Sequence, residues 1–216
     1  MTPCVKICGL CRPEDVLCAV AAGSDCVGFV LYEKSPRYVS PERLGALAAL
    51  VPAGVQRVGV VVNATPAAVA EAVRVGRLDV IQFHGDETDL EVAAFHLASA
   101  WRVVNLHEAA EVERAVLTPG AALVVDVGGA AGRGGTGTVC DWALAAQLAQ
   151  RRRVLLAGGL RPENVAEALR QVQPWGVDVS SGVEAAPGIK DHDRVRRFVA
   201  AARGSARALQ ETTSCR

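Results

Sequence analysis

Residues able to do chemistry crowd the start of the chain, in the stretch Cys4-Val5-Lys6-Ile7-Cys8-Gly9-Leu10-Cys11. The spacing C-x3-C-x2-C suits three thiolates around an iron–sulfur cluster, and the last two cysteines alone form the C-x-x-C of a redox pair. A third reading gives the work to one thiol. Alternation along a strand separates these readings. Cys4, Lys6 and Cys8 share one face, and at ~3.3 Å per residue Cys4 falls roughly 13 Å below Cys8. Ligands spread that far cannot converge on one metal unless "VKI" is a loop, which its β-branched composition opposes. Cys11 stands just before Arg12-Pro13-Glu14-Asp15, where a helix starts, so a small residue at a capping position accounts for it. Cys8 closes a strand and precedes a glycine, which makes it the candidate thiol.

Other candidates stand at the ends of apolar runs. Asp126 follows "ALVV" and precedes the glycine-rich "GGAAGRGGTG". A carboxylate closing such a run is costly to bury unless it is used or paired. Gly158-Gly159 and Ser180-Ser181-Gly182 follow two further runs, where backbone N–H groups can approach an anion. Arg37, in "YEKSPRYVS", is able to fork onto a carboxylate. His84, closing "QFHG", either lines a pocket or is a satisfied structural histidine. Lys6 and Asp178 sit mid-strand on the first and last strands and are expected to form an interior ion pair rather than to catalyse. With only three lysines against twenty arginines, Lys6, Lys34 and Lys190 stand out.

These residues need strands to hold them. Short β-branched runs near 4–8, 25–31, 56–62, 79–83, 101–105, 121–126, 153–157 and 176–181 alternate with helix-favouring stretches near 13–22, 41–51, 66–74, 87–98, 108–117, 142–150, 162–171 and 191–202. Pro13, Pro41, Pro66 and Pro162 mark helix starts. Eight strand–helix units predict parallel pairing in a single-domain (β/α)8 barrel over residues 1–203, with a doubly wound open sheet as the alternative. The polar segment 204–216 reads as a flexible tail past the eighth helix, with Cys215 in it incidental. In a barrel, function belongs where strands end and the following loops begin, and Cys8, Asp126, His84, Gly158 and Ser180 all meet that condition.

Composition narrows the class. The 216 residues carry 23 basic and 23 acidic side chains, so neither nucleic acid nor an anionic membrane surface is an expected partner. Half the residues are hydrophobic, enough for a sizeable core, yet no apolar run is long enough to span a bilayer. The N-terminus lacks a secretory pattern. Seven cysteines, an odd number with five in the first 26 residues, fit reduced thiols in the cytoplasm better than a disulfide framework.

The stretches "VKICGL", "SPRYV", "QFHG", "GRGGTGTVCDW", "LAGGLRPENV" and "VDVSSGVEAAPGIKD" occur in that order from residue 5 to residue 191. Together they resemble the phosphoribosylanthranilate isomerases of tryptophan biosynthesis. The resemblance implies a cofactor-free, metal-free Amadori rearrangement of a small phosphorylated substrate, N-(5-phosphoribosyl)anthranilate, to 1-(2-carboxyphenylamino)-1-deoxyribulose 5-phosphate. It implies Asp126 as general acid and Cys8 as general base. Independently, the chemistry needs a carboxylic acid whose pKa is raised near a phosphate and a thiol whose pKa is modestly lowered by its surroundings. Arg37 would hold the anthranilate carboxylate, His84 would line the site, and the loops at Gly158, Gly159, Ser180, Ser181 and Gly182 would hold the phosphate. Cys11 stands where such chains often carry threonine, and Cys140 where an aromatic usually precedes "DW". A related histidine-pathway isomerase would need an aspartate in place of Cys8. A catalytically silent phosphate-binding barrel or a partner-docking subunit would have no use for both Cys8 and Asp126. Protein partners are left open by the sequence.

Overall fold

The computed structural model describes residues 2–96, 98–126 and 142–214, with side chains through residue 204. The glycine-rich loop after Asp126, Cys140 and Cys215 lie outside the described residues. Eight strands, β1 (Cys4–Ile7), β2 (Cys26–Val30), β3 (Gln56–Val61), β4 (Val80–Phe83), β5 (Ser99–Val104), β6 (Ala122–Asp126), β7 (Val154–Ala157) and β8 (Gly176–Val179), close a parallel barrel in sequence order. The expected barrel is therefore present and the open sheet is not. Helices α1 (Pro13–Ala21), α2 (Pro41–Ala48), α3 (Pro66–Gly76), α4 (Asp89–Ala93), α5 (Ala109–Leu117), α6 (Trp142–Ala149), α7 (Val165–Val172) and α8 (His192–Ser214) follow the strands in turn. Among the described residues no helix is long and apolar enough to cross a membrane.

Local chemistry explains where the helices begin. Proline occupies the first turn of α1, α2 and α3, where its missing N–H costs nothing. Ser40 and Thr65 accept the N–H of Arg43 and Ala68, and Thr88 with Glu91 forms a reciprocal capping box. Helix α4 is much shorter than the 87–98 its composition suggests. After Ala93 the chain turns so that Phe95 meets Phe83 edge-on at 5.6 Å, and β5 begins at Ser99. Pro162 does not open α7; it lies in a turn, and α7 begins at Val165. Asn164 organises that turn, accepting the Arg161 N–H at 2.8 Å and donating to the Gly159 carbonyl at 3.0 Å. Helix α8 runs to Ser214, so the segment from Gly204 continues the eighth helix instead of lying past it. One glycine costs a helix only about 1 kcal/mol, and "ARALQE" after it is rich in strong helix formers.

Two apolar layers sandwich the strands. The larger lies between the barrel and its helices, and the smaller fills the interior with Cys26, Val58, Val80, Trp101, Ala122, Val124, Leu155 and Ala157. Above that interior plug sits a polar layer. Fully buried Lys6 on β1 donates to Asp178 Oδ2 on β8 at 2.8 Å and to Gln82 Oε1 on β4 at 2.9 Å. Lys6 and Asp178 are register partners on the two strands that close the barrel, so the expected ion pair is there. Burial alone would depress the Lys6 pKa, but the adjoining Asp178 carboxylate outweighs it and holds the ammonium well above its ordinary value.

Removing one member of this pair leaves an uncompensated interior charge. Lys6→Met should lower the stability measured by urea denaturation by about 3–5 kcal/mol, and adding Asp178→Asn should recover most of the loss. A single variant as stable as the wild type would mean the pair carries no structural load.

Candidate active site

A cavity of about 630 Å³ opens at the C-terminal ends of the strands. Strand alternation decides what faces it. Gln82 and Asp178 form part of the floor, and the next inward positions above them are His84 and Ser180. Cys8 and Asp126 enter the same cavity from β1 and β6, Val30 from β2, and Val60 and Val62 from β3. Arg37 reaches in from the β2–α2 loop, with Lys34 beside it. Gly158 and Gly159 after β7, and Ser180, Ser181 and Gly182 after β8, complete the opposite wall. Every site residue expected from the sequence thus lines one cavity.

Cys8 is buried against the barrel wall. Its position depends on Gly28, the facing residue of β2: a Cβ there would stand 2.8 Å from the Cys8 sulfur and 3.2 Å from Lys6 Cε. The three neighbouring cysteines do not converge. Cys4 Sγ faces Cys26 Sγ at 3.6 Å near the bottom of the barrel, while Cys11 Sγ turns to the Arg37 carbonyl oxygen at 3.3 Å. Burial pushes the Cys8 thiol pKa above its ordinary value, and the attraction of Lys6 only partly offsets this. The expectation of a lowered thiol pKa is therefore reversed: burial is the largest influence, and the Asp178 carboxylate adds to it.

Asp126 ends β6 with its carboxylate 3.8 Å from His84 Nε2. Burial lowers the His84 pKa more than Asp126 raises it, so the imidazole is neutral near pH 7. On the opposite wall, Gly158 and Gly159 have φ of 78° and 64°, a left-handed pair that points backbone toward the cavity. Gly182 lies in a 3₁₀ turn, Ser181–Val183, where a Cβ would overlap the Leu160 carbonyl oxygen. These two turns therefore pack directly on each other.

One charged residue behind the site, Glu184, carried no signal in the sequence. Glu184 starts a short antiparallel hairpin, β9 (Glu184–Ala186) with β10 (Ile189–Lys190), that follows β8. Its carboxylate accepts from Arg37 Nε at 2.7 Å and from Arg37 Nη2 at 2.6 Å, and from Lys190 Nζ at 2.9 Å. The scarcity of lysine pointed to Lys190. Nothing in the sequence alone tied Glu184 to Arg37, 147 positions earlier.

A family model described as N-(5'phosphoribosyl)anthranilate (PRA) isomerase matches residues 5–201. The N-(5'-phosphoribosyl)anthranilate isomerase of Trichlorobacter lovleyi is 44% identical over 198 residues, covering 90% of this chain and 95% of that protein. The crystal structure of phosphoribosyl anthranilate isomerase from Thermotoga maritima superposes with a TM-score of 0.83 at 38% identity, covering 94% of this chain and all of that one. A further structure of phosphoribosyl anthranilate isomerase, in complex with reduced 1-(o-carboxyphenylamino)-1-deoxyribulose 5-phosphate, gives a TM-score of 0.81 at 37% identity over the same 94% of this chain and 100% of that chain.

The raised thiol pKa has a direct readout. Alkylation of Cys8 by iodoacetamide, followed by mass spectrometry of its peptide, should rise with pH through an inflection above the ordinary thiol value of ~8.5. An inflection below that value would mean that Lys6 outweighs burial.

Proposed function

The chain belongs to the N-(5'-phosphoribosyl)anthranilate isomerase family and is an isomerase of tryptophan biosynthesis, and on that premise we propose how its cavity carries the reaction. The rearrangement turns N-(5-phosphoribosyl)anthranilate into 1-(2-carboxyphenylamino)-1-deoxyribulose 5-phosphate. The phosphate is seated against Gly158, Gly159, Ser180, Ser181 and Gly182, and the anthranilate carboxylate against Arg37. The single observation that carries this reading is that Cys8 and Asp126 open into one cavity from β1 and β6, two strand ends able to flank a sugar held between the anion seats.

Asp126 acts as general acid, protonating the ribose ring oxygen as the C1–O bond opens and the anilino nitrogen supplies its electron pair to form a cationic Schiff base. Cys8 thiolate then takes the C2 proton, and those electrons neutralise the iminium nitrogen to give an enolamine. Tautomerisation to the ketone completes the exchange of an aldose for a ketose. A thiol with a raised pKa is scarcely ionised at rest but is a stronger base once ionised. The Schiff-base cation, arriving beside Cys8, favours the thiolate at the step that needs it, the thiol proton having passed to solvent water through the open cavity. His84, neutral and close to the acid, lines the site. Residues 1–203 form the catalytic unit, with 204–216 outside it, and reduced thiols suit a cytoplasmic setting.

Cys8→Ser and Asp126→Asn should each lower turnover at least about 100-fold, the usual worth of a positioned acid or base, with circular dichroism unchanged. Near-normal turnover in either folded variant would remove that residue from the mechanism.

A further inference from the structure

Arg37 is not a free cation waiting for a carboxylate. A guanidinium presents two edges able to fork onto carboxylates, and Glu184 already holds the edge formed by Nε and Nη2. The edge formed by its two Nη groups is left for a second carboxylate. Arg37 lines the cavity, whereas Glu184 stands behind it, buried, and contributes nothing to the cavity wall.

The support behind Arg37 is continuous. Lys190, buried on β10, donates to Glu184 and to the Ser180 carbonyl oxygen at 3.1 Å. Arg194 on α8 donates to the Glu184 carbonyl oxygen at 2.8 Å. On the other side the arginine stem crosses Gly9, whose φ is +73° and where a Cβ would stand 2.6 Å from Arg37 Cδ. Arg37 is thus clamped between the turn after the Cys8 strand and the β9–β10 hairpin. Two cations and one anion make up the cluster of Arg37, Lys190 and Glu184, so it carries one unbalanced positive charge, the complement of one carboxylate.

We propose that Glu184, braced by Lys190, is a positioning residue that fixes the free edge of Arg37 and so makes the enzyme select a substrate whose aryl ring carries a carboxylate. The inference rests on Arg37 being the carboxylate anchor. A flexible arginine would still attract that carboxylate, but at the cost of freezing its own rotamers and without fixing where the ring sits relative to Cys8. Glu184 removes that freedom before substrate arrives. Its loss should therefore appear in kcat for the carboxylated substrate rather than as a uniform loss for all substrates.

The test compares N-(5-phosphoribosyl)anthranilate with the carboxyl-free N-(5-phosphoribosyl)aniline on the wild type, Arg37→Ala and Glu184→Gln. The wild type should prefer the carboxylated substrate strongly, and Arg37→Ala should lose that preference. Glu184→Gln should lose roughly tenfold or more of kcat on the carboxylated substrate, while kcat on the aniline analogue changes by less than about threefold. Equal losses on both substrates, or an unchanged preference, would overturn the role of Glu184. Preference retained in Arg37→Ala would instead remove Arg37 as the anchor, and the proposal with it. Should Glu184→Gln not fold, Glu184→Asp keeps the charge on an arm one methylene shorter, and a smaller loss of the same selective kind is expected.

Discussion

A single buried ion pair underlies both the closure of this barrel and the chemistry above it. Lys6 and Asp178 face each other across β1 and β8, the first and last strands, so their contact lies on the seam where the sheet meets itself. Gln82 reaches the same ammonium from β4 on the far side of the barrel. An unpaired ammonium at that depth would not stay charged, and an unpaired carboxylate would be equally costly. Paired, they form a nearly neutral floor under the cavity. Above that floor burial holds the Cys8 thiol up, the attraction of Lys6 offsets it only in part, and the Asp178 carboxylate adds to the rise.

The same economy of charge repeats at the cavity mouth. Glu184 pairs with two cations, Arg37 and Lys190, and under the proposed function the charge left over meets the substrate carboxylate. Burial raises the Glu184 pKa on its own, yet hydrogen bonds from Arg37 and Lys190 prevail and keep the carboxyl ionised. Glycines allow these charged groups to approach. Gly28 leaves room for the Cys8 sulfur, and Gly9 lets the arginine stem cross the turn above it. On the proposed mechanism the reaction asks little more of the site than an acid and a base on strands far enough apart to flank one sugar.

Much of this was legible in the residues. Strand alternation put Cys4, Lys6 and Cys8 on one face, and the structure has Cys4 low beside Cys26, Lys6 midway and Cys8 at the cavity. The Lys6–Asp178 pair followed from two mid-strand charges on strands that a closed barrel must bring together. What the sequence hid depends on tertiary surroundings. The direction of the Cys8 shift is a contest between burial and the pull of Lys6, and no local pattern states the outcome. The β9–β10 hairpin is too short to show a strand period, so nothing in the sequence marks Glu184 as part of a strand. Asn164 delayed α7 beyond Pro162 by bonding to Gly159, a contact invisible in propensity. The polarity of 204–216 suggests a tail, whereas its helix formers carry α8 on to Ser214.

The central claim is that Cys8 removes the proton from C2 of the sugar. Single-turnover loss of anthranilate-type fluorescence should be followed on purified, EDTA-treated protein, using freshly generated phosphoribosylanthranilate carrying either hydrogen or deuterium at ribose C2. The account predicts rapid loss that slows several-fold with deuterium and disappears in Cys8→Ala. Undiminished loss in folded Cys8→Ala, with the same isotope dependence, would contradict it.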